Sequence, residues 1–384
     1  MAFRFLHTAD WQIGMNAREV GRKGERLREA RFAAAEKVIR IANEAAVQAV
    51  VLAGDTFEES DVSGEWVERT VRILEQSSAP VYVLPANHDP LVPKGVFEHD
   101  AWKRAARKVK VFRSKDPVAC GEAVFLPCPL STRTSFDDPL GQIAPRAADD
   151  TRIRIGVAHG SVIGGAGMRL EDIENDFPID LNAAAPLGLD YLALGHWHCP
   201  SEYEIGGATR AYYSGSHEPT KFGESSENGR FRSGRVLIVE IDRHGAAPKV
   251  EERRTAVLEW QDRGVVRLAS DQDIERLIEE VHGAPSEARE SVLWRVTLEG
   301  VCSTRGEYLI EHDLRQVATE RYLYAKIVRS PRLQTLPEGD AWIDGMADGV
   351  AKATALKLRE KASVGDPVAR RALAMLYELA EKKA

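Results

Sequence analysis

The stretch FRFLHTADWQIG, residues 3 to 14, begins as a short apolar run and ends in a polar turn. A short, continuous run of this kind predicts a buried strand. Directly after the strand, the chain brings Asp10, Trp11 and Gln12 into the turn. A carboxylate that follows a buried strand makes this turn the first candidate for a ligand site.

Four further runs repeat the pattern of an apolar segment followed by a polar cluster. They are AVVLAGD (49–55), VYVLPANHD (81–89), IRIGVAHG (153–160) and YLALGHWH (191–198). Helical patterns, among them ERLREARFAAAEKVIRIANEA (25–45), separate most of the runs, so the sequence predicts an α/β fold. In such folds ligands gather beyond the carboxyl ends of the strands, where each of these polar clusters falls.

The polar clusters together contain side chains that bind divalent metals. Taken singly, an Asp beside a Gly is often part of a turn, and a lone His is more often a core residue than a ligand. Taken together, the strand ends supply oxygen and nitrogen donors that suit Mn²⁺, Fe²⁺ or Zn²⁺. The six candidate ligands are Asp10, Asp55, Asn87, His159, His196 and His198.

The spacing of these residues indicates two metal ions. His196 and His198 lie two positions apart, so in an extended segment they point to the same side and can serve different ions. Two ions about 3.5 to 4 Å apart need a bridging carboxylate, for which Asp55 is the candidate. Such a pair activates a hydroxide and neutralises the oxygens of a phosphate ester. The predicted chemistry is phosphoester hydrolysis.

Length and composition limit the class of protein. The chain has 384 residues, 43% hydrophobic and 29% charged, which predicts a globular protein of two or three units. We find neither an apolar run near the roughly 20 residues that span a bilayer nor a signal-peptide pattern, so we expect a cytoplasmic protein without membrane association. The four cysteines are scattered, and we expect them to be reduced packing residues.

The charge of the chain bears on nucleic acid as a partner. A formal net charge of −7 argues against coating of nucleic acid by bulk electrostatics but leaves room for a local basic patch. The stretch REVGRKGERLREAR (18–31) follows the first motif and makes Arg18, Arg22 and Lys23 candidates for substrate binding. The alternative is a solvated helix face with alternating charge.

The order of the polar motifs resembles that of the calcineurin-like metallophosphoesterases. The motifs are Asp10-x-Gln12, Gly54-Asp55, Asn87-His88-Asp89, His159 and Gly195-His196-x-His198. Within that superfamily, HTADWQIG, GDTFEESD and YYSGSHEPTKFGE (212–224) are similar to the SbcD-type DNA repair exonucleases. The resemblance covers roughly residues 1–245 and implies a catalytic domain made of two mixed β-sheets flanked by helices.

The resemblance also implies a role for each motif residue. The first metal would be held by Asp10, the residue at position 12, Asp55 and His198, and the second by Asp55, Asn87, His159 and His196. His88 would stabilise the transition state or protonate the leaving oxygen, with Asp89 orienting its ring. Glu58 is a candidate for substrate contact, and His7 is either a partner of a ligand or a packing residue.

Two residues depart from the family pattern. Ala86 replaces the glycine that usually precedes the Asn-His-Asp motif, a mild change if the backbone needs no positive φ there. Gln12 replaces a histidine, and its amide oxygen is a weaker donor than an imidazole nitrogen. Three interpretations of Gln12 are open. In the first, the amide oxygen coordinates the first metal and shifts the preference of the site toward Mn²⁺. In the second, Gln12 holds a water molecule that is bound to this metal. In the third, the first metal site is lost.

The rest of the chain predicts a small α/β domain at 262–330, a linker at 330–340 and C-terminal helices at 338–384. In the α/β part, Ser270 and Asp273 form a capping box that opens a helix closed by Gly283, and a second helix is predicted near 305–319. One amphipathic helix is predicted at 341–362. The other opens at Asp366 and aligns four apolar residues, Val368, Ala372, Met375 and Leu379.

The resemblance implies functions for these C-terminal parts as well. The small α/β domain would be a capping domain that helps to hold DNA, and its alternative is a module for dimerisation or stability. The helices would dock on the coiled coil of an ATPase partner, and their alternative is to fold back on their own domain.

Two classes of function follow. The first is an enzyme: a phosphodiesterase with two Mn²⁺ ions, or else Fe²⁺ or Zn²⁺, that cuts DNA in repair as an exonuclease or endonuclease. Its enzymatic alternative acts on a small phosphorylated metabolite or cyclic nucleotide, which would need no long capping module. The second class is a scaffold with a dead site that binds DNA or an ATPase. A homodimer is compatible with either class.

Overall fold

The chain folds into two compact units, Met1–Leu258 and Glu259–Ala384. The computed structural model describes residues 2–163, 176–223, 233–336, 341–364 and 366–381. All seven predicted metal ligands belong to the first unit, in which two six-stranded mixed sheets form a sandwich.

The first sheet contains the strands of the first three sequence runs. Its spatial order is β14 (Lys249–Arg254), β13 (Arg235–Ile241), β1 (Phe3–Thr8), β2 (Ala49–Leu52), β3 (Val81–Val83) and β4 (Val109–Val111). Strands β1 to β4 are parallel to one another. Beyond β1, β13 pairs antiparallel with β1, and β14 pairs antiparallel with β13. The turns after β1, β2 and β3 therefore lie at one edge of the sheet.

The second sheet contains the strands of the other two runs. Its spatial order is β11 (Ser201–Ile205), β12 (Ala208–Tyr213), β10 (Tyr191–Gly195), β7 (Ile153–His159), β6 (Ala123–Pro127) and β5 (Val118–Cys120). Strands β7 and β10 are parallel neighbours, with His159 opposite Gly195. A separate pair joins β8 (Val162–Ile163) to β9 (Ile179–Asp180).

Alternate side chains of the central strands fill two different cores. In β1, Phe5 points between the sheets and Leu6 points outward. Phe5 meets Tyr191 of the second sheet edge to face, with ring centroids 5.3 Å apart. The outer face of the first sheet is covered by α1 (Gly24–Glu44), α2 (Gly64–Leu74) and α3 (Asp100–Ala105). A short helix, α4 (Leu181–Ala184), follows β9.

The longest helix of this unit, α1, forms from an alanine-rich segment with apolar residues at helical spacing. Phe32, Val38 and Ala42 are among the residues it buries against the sheet. Alanine has the highest helix propensity, so local preference and the buried stripe agree.

The predicted α/β fold and the sandwich of two mixed sheets flanked by helices are confirmed. The five runs form β1, β2, β3, β7 and β10, and the helix predicted at 25–45 is α1. The predicted boundary at residue 245 is wrong. The first unit continues to Leu258, because β14 pairs with β13 and completes the first sheet.

The second unit is built on a three-stranded parallel sheet. Its strands are β15 (Glu259–Leu268), β16 (Val292–Ser303) and β17 (Tyr324–Leu336). Its helices are α5 (Asp271–His282), α6 (Ala288–Ser291), α7 (Thr304–Tyr308) and α8 (Arg315–Arg321), with a π-helical turn at Leu309–Leu314. The capping box of Ser270 and Asp273 is present and Gly283 ends the helix, as predicted.

The C-terminal segment differs from the prediction in three respects. Residues 330–336 are not a linker, because β17 continues pairing with β16 as far as Leu336. The helix predicted at 341–362 is divided into α9 (Ala341–Asp344) and α10 (Val350–Ser363). Helix α11 (Pro367–Glu381) packs against β16 and β17, so these helices belong to the second unit rather than to a separate domain. None of the described helices is long and apolar enough to cross a membrane.

Gly195, at the end of β10, provides a test of the packing between the two sheets. A Cβ at Gly195 would lie 2.0 Å from Ala53 O and 2.7 Å from His159 Nδ1. We expect Gly195→Ala to lower the melting temperature by about 2 to 10 °C, because overpacking costs about 1 to 3 kcal/mol. Thermal unfolding followed by circular dichroism measures this. The control is Gly141→Ala, where a Cβ meets nothing within 4 Å. Equal melting temperatures for the two variants would contradict the expectation.

Candidate metal centre

The turns after β1 and β2 are joined by backbone hydrogen bonds. The N–H of Asp10 donates to Gly54 O at 3.0 Å, and the N–H of Gln12 donates to Asp55 O at 2.9 Å. Asp10, Gln12 and Asp55 all have left-handed backbone, with φ of 54°, 41° and 50°. Residues other than glycine adopt this conformation at a cost, and such strain concentrates at functional sites. The paired turns thus bring three of the predicted ligands together.

Asp10, Asp55 and His159 form a buried cluster, in which one ligand atom from each lies within 4.8 Å of the others. Burial raises the pKa of Asp10. Burial also works to raise the pKa of Asp55, but the charge of His159, whose Nε2 lies 3.4 Å from Asp55 Oδ2, lowers it to about 2. The pKa of His159, which burial alone would lower, rises to about 9 because of Asp55. The two carboxylates therefore draw positive charge into the cluster, as a cation site requires.

Two buried acceptors at this edge fit a metal ion. Within the described part of the chain, Asn87 Oδ1 and His159 Nε2 make no hydrogen bond. His159 Nδ1–H donates to Ala53 O at 2.9 Å, which leaves Nε2 for a ligand. Asn87 lies beside Asp55, since the N–H of the next residue, His88, donates to Asp55 Oδ1 at 3.1 Å. Buried polar atoms without partners are rare, and a divalent cation would satisfy these.

His196 lies next to the cluster at the end of β10, with its ring centroid 5.3 Å from that of His159. Its backbone N–H donates to both carboxylate oxygens of Asp10, at 3.0 and 3.2 Å. Its Nε2–H donates to Asp176 Oδ2 at 2.8 Å, which leaves Nδ1 for a metal. Ser161 Oγ donates to the same Asp176 oxygen at 2.6 Å. Asp176 was not predicted from the sequence, because it follows none of the apolar runs and only the fold brings it to His196.

Gln12 reaches His198. Its Nε2 lies 3.0 Å from His198 Nε2, and His198 Nδ1 lies 2.8 Å from Thr220 Oγ1. Two ligands about 2.1 Å from one ion and at right angles would be about 3 Å apart, so the spacing suits a shared ion if the amide presents its oxygen. The structure places the side chains of Gln12 and His198 next to each other, and the three interpretations of Gln12 stay open.

His88 lies beside Asp55 with 39% of its side chain exposed and Nε2 4.0 Å from Asp55 Oδ2. The ring is oriented by the backbone, because Nδ1–H donates to Glu58 O at 2.8 Å. Glu58 itself is partly buried, and its pKa is raised by burial.

The expectation that Asp89 orients the ring of His88 is wrong. The buried carboxylate of Asp89 accepts hydrogen bonds from the backbone N–H groups of Phe57 and Ala86, both at 3.0 Å. Burial raises the pKa of Asp89 well above its usual range. Asp89 therefore ties the turn that carries His88 to the turn that carries Asp55, and is a positioning residue.

Ala86 and His7 have structural roles. Ala86 is not among the described residues with positive φ, so the backbone accepts alanine in place of glycine. His7 is buried, donates from Nε2 to Leu194 O at 3.2 Å and accepts at Nδ1 from the hydroxyl of Tyr191 at 3.0 Å. Burial lowers its pKa to about 3, so His7 is a neutral packing residue.

Comparison with known proteins identifies the family. Residues 3–200, more than half of the 384-residue chain, match the family model described as calcineurin-like phosphoesterase. The chain belongs to the calcineurin-like phosphoesterase family. The buried cluster of Asp10, Asp55 and His159 gives this member of the family a candidate metal site.

The phosphoesterase is similar to the DNA double-strand break repair protein Mre11 of Methanopyrus kandleri, with 25% identity over 291 residues. The match covers 71% of this chain and 61% of that protein, so the chain spans less than two thirds of that relative. It is also similar to the crystal structure of TT1561 of Thermus thermophilus, with 10% identity, a TM-score of 0.42, and coverage of 66% of this chain and 100% of that chain. A dimetal phosphatase from Danio rerio matches with 12% identity, a TM-score of 0.36, and coverage of 65% and 98%.

The structure describes the side chains of only two of the four candidates for substrate binding. Lys23 is exposed just before α1, and Glu58 lies against His88 through its carbonyl. The side chains of Arg18 and Arg22 lie outside the described part of the structure. Contact of these residues with substrate stays a prediction.

Arg31, counted above in the basic stretch 18–31, is buried in the phosphoesterase. Its guanidinium donates to the carbonyls of Trp11 at 2.7 Å and Asp10 at 3.3 Å. It also donates to Glu218 O at 3.1 Å and Pro219 O at 3.3 Å. Arg31 thus holds the strained turn of the first motif against the segment that leads to Thr220. Arg31 follows Leu27 by four residues, so both side chains lie on the same face of α1. This helical spacing is the feature of the sequence that could have predicted an inward-facing Arg31.

Tyr213, in the YYSGS stretch, stabilises the turn after His159. The hydroxyl of Tyr213 donates to Gly160 O at 2.6 Å and accepts from the N–H of Val162 at 3.0 Å. Glu224, the last residue of the longer stretch, lies outside the described residues.

Replacing Arg31 tests its positioning role. We expect Arg31→Met to lower the melting temperature by about 4 to 10 °C, because it leaves buried carbonyls without donors. We also expect weaker Mn²⁺ binding in isothermal titration calorimetry, since the turn of Asp10 and Gln12 loses its support. The control is Arg40→Met, an exposed arginine on the same helix. A stability loss with unchanged Mn²⁺ binding would reduce Arg31 to a packing role.

Replacing Gln12 tests the three interpretations of this residue. We expect Gln12→His to raise the affinity for the weaker of two Mn²⁺ ions on the order of tenfold, since effects of this size follow even from partners of ligands. We expect Gln12→Ala to lower the same affinity. Titration of the metal-free protein with Mn²⁺ measures both. Identical binding by wild type and Gln12→Ala would show that Gln12 takes no part in holding the ion.

Proposed function

We propose that this phosphoesterase hydrolyses phosphodiester bonds of DNA with two divalent ions, Mn²⁺ foremost, and acts in DNA repair. The observation that carries the proposal is the buried cluster of Asp10, Asp55 and His159 beside the unsatisfied Asn87 Oδ1. The choice of DNA is supported by the similarity to a relative named as a DNA double-strand break repair protein.

The contacts support two ligand sets that share Asp55. The first set is Asp10, Gln12, Asp55 and His198, and the second is Asp55, Asn87, His159 and His196. When bound, the two ions would neutralise the phosphate oxygens and activate the attacking water. The oxygen donors Asp10, Asp55, Asn87 and Gln12 favour Mn²⁺, with Fe²⁺ or Zn²⁺ as alternatives.

The protein side chains position this chemistry. The N–H of His196 fixes the carboxylate of Asp10, and Ala53 O fixes the ring of His159. His88 keeps Nδ1–H on Glu58 O, so the proton that it can give to the leaving oxygen is on Nε2. Lys23, together with Arg18 and Arg22, would contact the DNA backbone, and Glu58 would border the substrate.

The second unit completes the proposal. We propose that its small α/β part is a capping domain that holds DNA, and that its C-terminal helices dock on a coiled-coil ATPase partner. Val368, Met375 and Leu379 lie on one exposed face of α11, as partner docking requires. A second copy of the chain is the alternative occupant of that face.

Digestion of end-labelled linear DNA, both duplex and single-stranded, tests the proposed activity. We expect cleavage that requires Mn²⁺ and that falls roughly a thousandfold in Asp55→Ala, because Asp55 belongs to both ligand sets. The control is Asp61→Ala, an exposed aspartate six residues further along the chain.

Other outcomes would replace the proposal. If DNA stays intact while bis(p-nitrophenyl) phosphate is hydrolysed in an Asp55-dependent reaction, the substrate is a small phosphorylated molecule. If both substrates stay intact and calorimetry finds less than one Mn²⁺ per chain, the protein is a scaffold that binds DNA or an ATPase.

A further inference from the structure

An exposed tryptophan separates two predicted metal ligands. Trp197 lies between His196 and His198 in the chain and is 43% exposed, although the ring of its neighbour His196 lies 5.3 Å from that of the buried His159. Its ring stands edge-on to that of His196, with centroids 6.0 Å apart. Trp197 therefore presents a large aromatic surface directly beside the candidate metal centre.

A second exposed aromatic lies on a segment that contacts Asp176. Phe136 is 70% exposed. Its neighbour Ser135 accepts a hydrogen bond at its carbonyl from the N–H of Phe177, at 3.0 Å, and forms a bridge with Asp176. Asp176 in turn holds His196. The chain thus places Phe136 and Trp197 on segments that both converge on His196.

The chemistry of a nucleic acid suits this arrangement. Exposed aromatic rings lose contact with water favourably when a flat π-system stacks on them. A phosphodiester held at the metal centre brings its own nucleobases within reach, and every base has a π-face that stacks on an aromatic side chain. Within duplex DNA both faces of each internal base are already stacked, so away from the end pair only an unpaired or displaced base can use such rings.

We propose that Trp197, with Phe136, forms a stacking subsite for an unpaired nucleobase next to the scissile phosphate. This inference rests on the proposed action on DNA and adds its substrate form, a single-stranded or frayed end. Stacking uses the face of a base and not its edges, so we expect the subsite to be tolerant of base sequence. Trp197 and Phe136 are specificity residues and take no part in the bond cleavage itself.

Binding measurements test the subsite separately from catalysis. Fluorescence anisotropy of a labelled single-stranded oligonucleotide with cleavage-resistant phosphorothioate linkages, measured in Mn²⁺ so that the metal centre is filled, gives the dissociation constant. A second oligonucleotide of equal length carries abasic sites near its end. We expect the wild type to prefer the base-containing strand by roughly tenfold or more, the effect of stacking one base.

Variants at the two aromatic positions complete the test. We expect Trp197→Ala to bind both oligonucleotides equally, Trp197→Phe to keep most of the preference because it retains a ring, and Phe136→Ala to lose part of it. Circular dichroism and melting temperature confirm that these exposed positions leave the fold intact.

The outcomes separate the inference from the proposed function. A preference for bases that survives in Trp197→Ala, or no preference in the wild type, would overturn the stacking subsite even if DNA is cleaved. A preference that Trp197→Ala abolishes supports the subsite even if cleavage with Mn²⁺ is absent, and in that case the proposed nuclease activity alone fails.

Discussion

The position of the His159 ring between two glycines is the constraint on which the metal centre depends. A Cβ at Gly54 would lie 2.2 Å from His159 Nδ1, and one at Gly195 would lie 2.7 Å from the same atom. Gly54 follows a strand of the first sheet and Gly195 ends a strand of the second, so the ring occupies the seam between the sheets. Because Nδ1 is held by Ala53 O, the ring turns Nε2 toward Asp55. The architecture of the sandwich is therefore also the geometry of the site.

Buried charge at this seam is stabilised in two ways. Asp89 has its carboxylate satisfied by backbone N–H groups and serves to join two turns. The negative charges of Asp55 and Asp10 raise the pKa of His159. A positive charge next to these two carboxylates therefore stabilises them. Buried carboxylates without such partners are strongly unfavourable. Positive φ at four predicted ligand positions, Asp10, Gln12, Asp55 and His196, adds backbone strain. Arg31 offsets part of that strain by binding the carbonyls of the first turn. The site is thus preorganised for metal at the expense of stability.

Much of the fold followed from local patterns, and the misplaced parts share a cause. Apolar runs ending in polar turns identified β1, β2, β3, β7 and β10, and a capping box identified the start of α5. The boundary at 245 and the linker at 330–336 were wrong because pairing of β14 with β13, and of the end of β17 with β16, joins segments without a local signal of partnership. The role given to Asp89 was wrong for a related reason: its partners are backbone groups, which no side-chain motif reveals.

The sequence by itself determined the class of fold, the candidate ligands and the expectation of a phosphoesterase, because strand periodicity and ligand chemistry are properties of short segments. Only the tertiary structure decided which atoms meet. It brought Asp176 to His196 and Thr220 to His198, and it turned Arg31 inward. These contacts join residues from distant segments, and their geometry is set by how two twisted sheets pack and by where the turns between strands cross that seam.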